Sequence, residues 1–131
     1  MAKRILVLVG TKKGAFILES DADRRSWEAR GPFCETWPLN HVKADPATGT
    51  IYAAGGSEWF GPAIWKTADL GRTWSHSSEG LTYGEGKDPI KTAWSIGTGS
   101  GPIYVGVQPA GLFRSDDEGL TWSHVGGLQE H

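Results

Sequence analysis

A chain of 131 residues has room for one domain with a real hydrophobic core. Its 19 Gly and 7 Trp, against one Met and one Cys, point to tight turns and large flat side chains, so a helical bundle fits poorly and an all-β fold is expected. A net charge of -2 supplies no basic face for nucleic acid, and a lone Cys34 permits neither an intrachain disulfide nor a paired-cysteine metal site; no metal and no cofactor is expected.

The chain opens with Met1-Ala2-Lys3-Arg4 and a five-residue apolar run over residues 5–9. That run is shorter than the roughly 7–15 residues of a secretory signal core, and Lys12 and Lys13 follow at once. It reads as a buried strand. No stretch approaches the roughly 20 apolar residues of a membrane-spanning helix, so the expectation is a soluble cytoplasmic protein without a membrane partner.

Beyond this run the chain repeats. Ser20-Asp21-Ala22-Asp23-Arg24-Arg25-Ser26-Trp27 is the weak copy of an octapeptide. Thr67-Ala68-Asp69-Leu70-Gly71-Arg72-Thr73-Trp74 and Ser115-Asp116-Asp117-Glu118-Gly119-Leu120-Thr121-Trp122 are the strong ones. Trp27 and Trp74 are 47 residues apart, Trp74 and Trp122 48, slightly more than the roughly 40–45 of a four-stranded propeller blade. Around each octapeptide, short runs rich in β-branched and aromatic residues predict strands: 5–9, 15–18 and 27–30; then 40–44, 51–54, 63–66 and 74–77; then 92–96, 103–107, 112–114 and 122–125. The expected architecture is a partial β-propeller of about three antiparallel blades, over residues 4–31, 40–78 and 91–126. The first begins at its second strand and lacks the innermost one. Natural propellers close with about 4–8 blades, so the chain is expected to be part of a longer one.

The octapeptide describes a hairpin built on an acidic turn. Asp69 and Asp117 accept hydrogen bonds from the turn each opens, Gly71 and Gly119 take a backbone shape that residues with a Cβ avoid, and Thr73 and Thr121 complete the pattern. Trp74 and Trp122 are expected to wedge between neighbouring blades, and Trp27 to occupy the corresponding place in the first. In the first copy Ala22 stands where the aspartate belongs and Arg24 where the glycine belongs, which predicts a looser turn.

These octapeptides resemble the Asp-box of sialidases and of the wider BNR-repeat and sortilin-type propellers. The runs Glu58-Trp59-Phe60-Gly61-Pro62-Ala63-Ile64-Trp65 and Val107-Gln108-Pro109-Ala110-Gly111-Leu112-Phe113-Arg114-Ser115 are similar to stretches of bacterial sialidase-like propellers. The resemblance implies that the acidic turns lie at the outer edge of each blade and are structural. It further implies that ligands bind at the opposite end, around the axis.

The connections at that end carry the candidate ligand-binding residues: Lys12, Lys13, Trp37, His41, Glu58, Trp59, Phe60, Tyr83, Trp94 and Gln108. Aromatic faces beside carboxylates recognise sugars by stacking and hydrogen bonding, and Glu58 beside Trp59 is the most suggestive pair. The competing reading makes Trp37, Trp59 and His41 packing residues. His76 and His124, each two residues after a repeat tryptophan, are expected to take a blade-packing or a solvent-facing role. A sialidase also needs converging arginines, and the aromatic-Arg-Ile-Pro element of that family is absent, Lys3-Arg4-Ile5-Leu6 standing in its place. The first reading of function is therefore a non-catalytic binding or assembly module with a glycan or protein ligand. The alternative is part of a glycoside hydrolase completed by further blades, with Glu58 as the carboxylate it would use. A third expectation is self-association through the open edge of the first blade.

Overall fold

A computed structural model describes residues 4–34, 37–57, 61–99 and 101–126; among them there is no α-helix. Three antiparallel sheets follow one another along the chain. β1 (Arg4–Thr11), β2 (Gly14–Asp21) and β3 (Trp27–Phe33) form the first; β4 (Leu39–Ala44), β5 (Ile51–Ser57), β6 (Gly61–Thr67) and β7 (Ser75–Ser77) the second. The third comprises β8 (Thr92–Gly97), β9 (Ile103–Gln108), β10 (Gly111–Ser115) and β11 (Ser123–His124). Each strand pairs with its sequence neighbour, and none of the sheets closes into a barrel.

The sheets are the blades of a partial propeller, and the packing between them fixes which strand is which. β8 lies against β5 of the preceding sheet, and β4 lies in the same way against β1. β1 therefore holds the place of a second strand, and the first blade has no innermost strand among the described residues.

Two apolar cores fill the two gaps between blades. Ala15, Ile17, Leu39, Val42, Ile51 and Ala53 bury themselves between blades 1 and 2. Tyr52, Ala54, Ile64, Ala93, Ile96, Ile103, Val105, Phe113 and Trp122 do so between blades 2 and 3. The middle strand β5 serves both gaps: Ile51 and Ala53 point one way, Tyr52 and Ala54 the other, and all four are buried. Cys34 packs half-buried at the rim of the first core, and burial pushes its thiol up to about 12, which keeps it protonated and unreactive.

The strong octapeptides fold into the same clasp twice. Thr67 donates its hydroxyl to Asp69 Oδ1 (2.7 Å) and accepts the Gly71 N–H (3.0 Å). Asp69 also accepts the Thr73 N–H at Oδ1 (2.9 Å) and the Thr73 hydroxyl at Oδ2 (2.6 Å). In blade 3, Ser115 donates to Asp117 (2.7 Å) and accepts the Gly119 N–H (2.8 Å), while Asp117 accepts the Thr121 N–H (2.9 Å) and hydroxyl (2.5 Å). Leu70 and Gly71 both have positive φ (58° and 92°), as do Glu118 and Gly119 (60° and 86°), the φ pattern of a type I′ turn at the tip of each connection.

The clasp also docks each blade on the one before. A Cβ on Gly71 would lie 2.9 Å from the Phe33 ring of blade 1, and one on Gly119 would lie 3.3 Å from the Tyr52 ring of blade 2. Tyr52 and Lys66 reach the Glu118 carbonyl (3.4 and 2.9 Å), and Ser77 donates to the Leu120 carbonyl (2.6 Å). Trp74 packs on Phe33 with ring centroids 5.6 Å apart, and its indole N–H donates to the Gly71 carbonyl (3.0 Å).

Blade 1 departs from this pattern in kind, a correction to the looser turn expected. Its turn is built on Asp21, whose carboxylate accepts the N–H groups of Asp23 and Arg24 (both 3.1 Å). Only Arg24 takes positive φ (57°), so the turn has type I character and asks for no glycine. Ser20 holds the place of Thr67 and Ser115, but with Ala22 at the aspartate place its hydroxyl is buried without a partner. Trp27 keeps the repeat register, opposite Ser20, yet is 44% exposed where Trp122 is 5% exposed. Trp74 and Trp122 thus form the expected wedges, while Trp27 keeps the corresponding place on a side of the sheet that carries no neighbouring blade among the described residues.

Two measurements test this account. Trp122→Ala should cost about 3–5 kcal/mol in urea unfolding and Trp27→Ala about 1 kcal/mol or less; equal losses would contradict the placement. The bonds from Thr73 and Thr121 hold Asp69 and Asp117 down from 3.8 to about 2. A carboxylate held below its unfolded value stabilises the fold above that value and loses the contribution as pH falls from 3.8 through about 2. Asp117→Asn should therefore flatten the loss of stability over that acid range, and a wild-type slope in that variant would show the clasp to be energetically idle.

Candidate functional site

Antiparallel order sends the acidic turns and the connections from first to second strand to one end of the molecule. The β1–β2 and β9–β10 turns and the interblade connection 78–91 emerge at the other, as do the described ends of β5 and β6. The candidates among the described residues belong to this second end, but the structure brings only some of them together.

A β-bulge repeated in the two inner strands builds the centre of the site. In β4 the register passes from Leu39↔Gly55 to His41↔Ala54, leaving Asn40 as the extra residue. In β8 it passes from Ala93↔Val107 to Ser95↔Gly106, leaving Trp94 extra. A bulge re-aims the side chain it carries, and here it turns both out of the interblade core. Trp94 is 50% exposed, and its indole N–H donates to Gln108 Oε1 (3.1 Å), which fixes the ring. Asn40 donates its amide to Thr92 Oγ1 (3.0 Å) and to the Ala93 carbonyl (2.9 Å), tying blade 2 to the foot of the tryptophan. Asn40 and Thr92 escaped the sequence reading; aligning Leu39-Asn40-His41-Val42 with Ala93-Trp94-Ser95-Ile96 would have found Asn40.

His41 is a strut between blades. Its Nδ1 accepts the Ile96 N–H (2.9 Å), and burial, with Lys43 nearby, lowers its pKa below 6.5. Only the neutral ring can accept that bond. Trp37 likewise packs: its ring meets Trp65 edge-on at 5.6 Å and lies 5.9 Å from His76.

A matching trio recurs in blade 3, where Tyr83 lies 5.6 Å from Phe113 and 5.0 Å from His124, and Phe113 lies 5.1 Å from His124. Of the two roles expected for His76 and His124, both take the packing one, each pinning an interblade connection onto the outer strands. In blade 3 the trio also borders an open cleft of about 430 Å³ lined by Tyr83, Lys87, Asp88, Pro109, Ala110 and His124. The Tyr83 hydroxyl donates to the Pro109 carbonyl (2.6 Å), and Pro109 follows the Gln108 that holds Trp94. Cleft and indole therefore share the β9–β10 corner.

Lys12 and Lys13 stand exposed at the β1–β2 tip of blade 1, apart from this corner. Glu58, Trp59 and Phe60 lie outside the described residues. Among the described residues no three His, Cys, Asp or Glu side chains gather to hold a metal ion, and no helix is long and apolar enough to cross a membrane. No protein-family model matches the chain, and no curated protein matches it.

The His41 strut has a signed pH dependence. A histidine whose folded pKa is lowered leaves the folded state underprotonated, so the stability it contributes is present above 6.5 and falls as pH drops through that value. His41 should titrate below 6.5 by NMR, with the Ile96 amide shifting in step; a midpoint above 6.5 would contradict the bond.

Proposed function

We propose that the chain is a non-catalytic binding module of the Asp-box propeller class, taking a glycan at the end opposite its acidic turns. The observation that carries this reading is Trp94: an indole that is half exposed and held in place by Gln108. Sugars present apolar C–H faces to such a ring, and their hydroxyls need donors and acceptors close by. Gln108, Asn40 and Thr92 surround the ring, and Lys87 and Asp88 offer both kinds of polar group in the adjoining cleft. Indole and cleft lie on either side of one turn, an arrangement suited to an extended saccharide more than to a single ring.

The structural place of the acidic turns supports the non-catalytic part of the reading. Asp69 and Asp117 spend their lone pairs on their own turns, and Arg114 pairs with Asp116 at 2.8 Å, at the far end from Trp94.

Titration with a panel of soluble oligosaccharides should change the tryptophan fluorescence, and Trp94→Ala should weaken the best ligand by about tenfold or more. Aryl glycosides, sialosides included, should not turn over. Undiminished affinity in Trp94→Ala, or hydrolysis abolished by a mutation at this end, would overturn the reading.

A further inference from the structure

Blades 2 and 3 meet along their inner strands through side chains and not through a strand ladder, and the contacts bracket Trp94. The consecutive residues Asn40 and His41 of β4 both reach across to β8. Asn40 donates to the Ala93 carbonyl (2.9 Å), one residue before Trp94, and the Ile96 N–H, two residues after it, donates to His41 Nδ1 (2.9 Å). Farther along, the Thr98 hydroxyl donates to the Ala44 carbonyl (3.1 Å). Trp94 is the extra residue of its bulge and has no register partner of its own in β9. Its backbone is therefore placed by the two contacts from blade 2 on either side of it, while Gln108 holds the indole.

Of these three contacts, that of His41 alone depends on a group that titrates. Protonation turns Nδ1 from acceptor into donor and sets two N–H groups against each other. Lys43 stands two residues on, on the same face of β4. From β5, Tyr52 shares that face, its phenol pushed by burial up to about 12 and so neutral. β8 has no titratable side chain, and Lys91, just before it, is exposed. β1 passes the His41 backbone at Gly10; its Arg4, with Glu19 and Asp21 of β2, lies at the other end of that strand pair. Asp45, past the end of β4, accepts the Ala47 N–H (3.0 Å). Lys43 is thus the charge that acts on the ring, and it opposes protonation.

We propose that Asn40 and His41 are positioning residues for Trp94, and that protonation of His41 frees the Trp94 backbone and weakens ligand binding at this end as pH falls. The ligand's identity here rests on the glycan reading above; the tie between His41 and Trp94 rests on the geometry between the blades. Asn40 and Thr98 still hold β8 when His41 lets go, so the change is confined to residues 94–96 and the blades stay together. Linkage makes the effect reciprocal: a ligand that favours the clamped form lowers the affinity of His41 for its proton.

With no saccharide present, the Trp94 indole N–H should shift in NMR spectra with the midpoint of the His41 ring, which lies below 6.5. Maltohexaose, cellohexaose and xylohexaose carry no titratable group in this range, so any pH dependence of their binding belongs to the protein. Affinity for the best of them should fall about threefold or more between about pH 7.5 and about pH 5, and saturation with it should lower the His41 midpoint. His41→Asn puts an amide oxygen that does not titrate in the place of Nδ1 and should bind at the neutral wild-type level at every pH. His41→Leu, with no acceptor, should bind about threefold or more weakly, again without pH dependence. A Trp94 resonance that stays fixed while His41 titrates overturns the assignment, as does a His41 ring that stays neutral until the fold melts in acid. So does saccharide binding that ignores pH in the wild type, or a wild-type pH profile in His41→Asn. If His41→Asn loses its cooperative melt, the wild-type titration decides alone. Should none of the three saccharides bind at neutral pH while the indole tracks His41, the glycan reading fails and the tie between His41 and Trp94 stands.

Discussion

The packing of one blade on the next depends on a hairpin turn tight enough to slide beneath its neighbour's aromatic ring. Glycine at the fifth octapeptide position removes the Cβ that would meet Phe33 or Tyr52. Glycine alone would leave a floppy loop, and the aspartate two residues earlier removes that freedom by accepting the threonine N–H and hydroxyl together. The turn is therefore rigid before it docks. Its outward carbonyl, held at a fixed height, becomes the acceptor for Tyr52 and Lys66. Cross-blade bonds of this kind contribute only about 1 kcal/mol each, and their role is to set the register in which the much larger apolar surfaces of the two cores meet.

The opposite end is governed by a different constraint. There the inner strand must approach the preceding blade's second strand closely, and Gly10 and Gly56 provide the space. The bulges in β4 and β8 sit at this approach, so the extra residue is expelled from the packed region. What is expelled differs between blades: an amide in Asn40, an indole in Trp94. The repeat thus holds its backbone constant at both ends while freeing one side chain per blade to vary at the bulge.

Much of this was legible in the sequence because the governing patterns are local. Two-residue alternation marked the strands, and the acidic octapeptides marked the hairpins with their Asp, Gly and Thr in the places where the hydrogen bonds form. The equivalence of His76 and His124 foretold that they share a role, but not the aromatic trio, because the third ring of each lies in a connection with no repeat of its own. The bulges were not legible, since a one-residue register slip depends on the backbone of the partner strand and leaves no mark in composition. Blade 1 was misjudged for a related reason. In-register alignment assigned Ala22 and Arg24 to the aspartate and glycine places, but the carboxylate one residue earlier captures the turn and changes its type.

That change of type follows from what the turn of blade 1 lacks. Gly71 and Gly119 are required by the ring each slides beneath, and the Asp21 turn meets no ring within the described structure. With Arg24 in place of glycine, the type I′ shape would put a Cβ-bearing residue at positive φ in both central positions, which is costly without compensating contacts. The type I turn places only Arg24 there and lets Asp21 satisfy two backbone donors. The buried, unpartnered Ser20 hydroxyl keeps the place from which Thr67 and Ser115 serve an aspartate, but position 22 holds Ala. The outer end of blade 1 is therefore shaped by its own hydrogen bonds, while blades 2 and 3 are shaped by their neighbours.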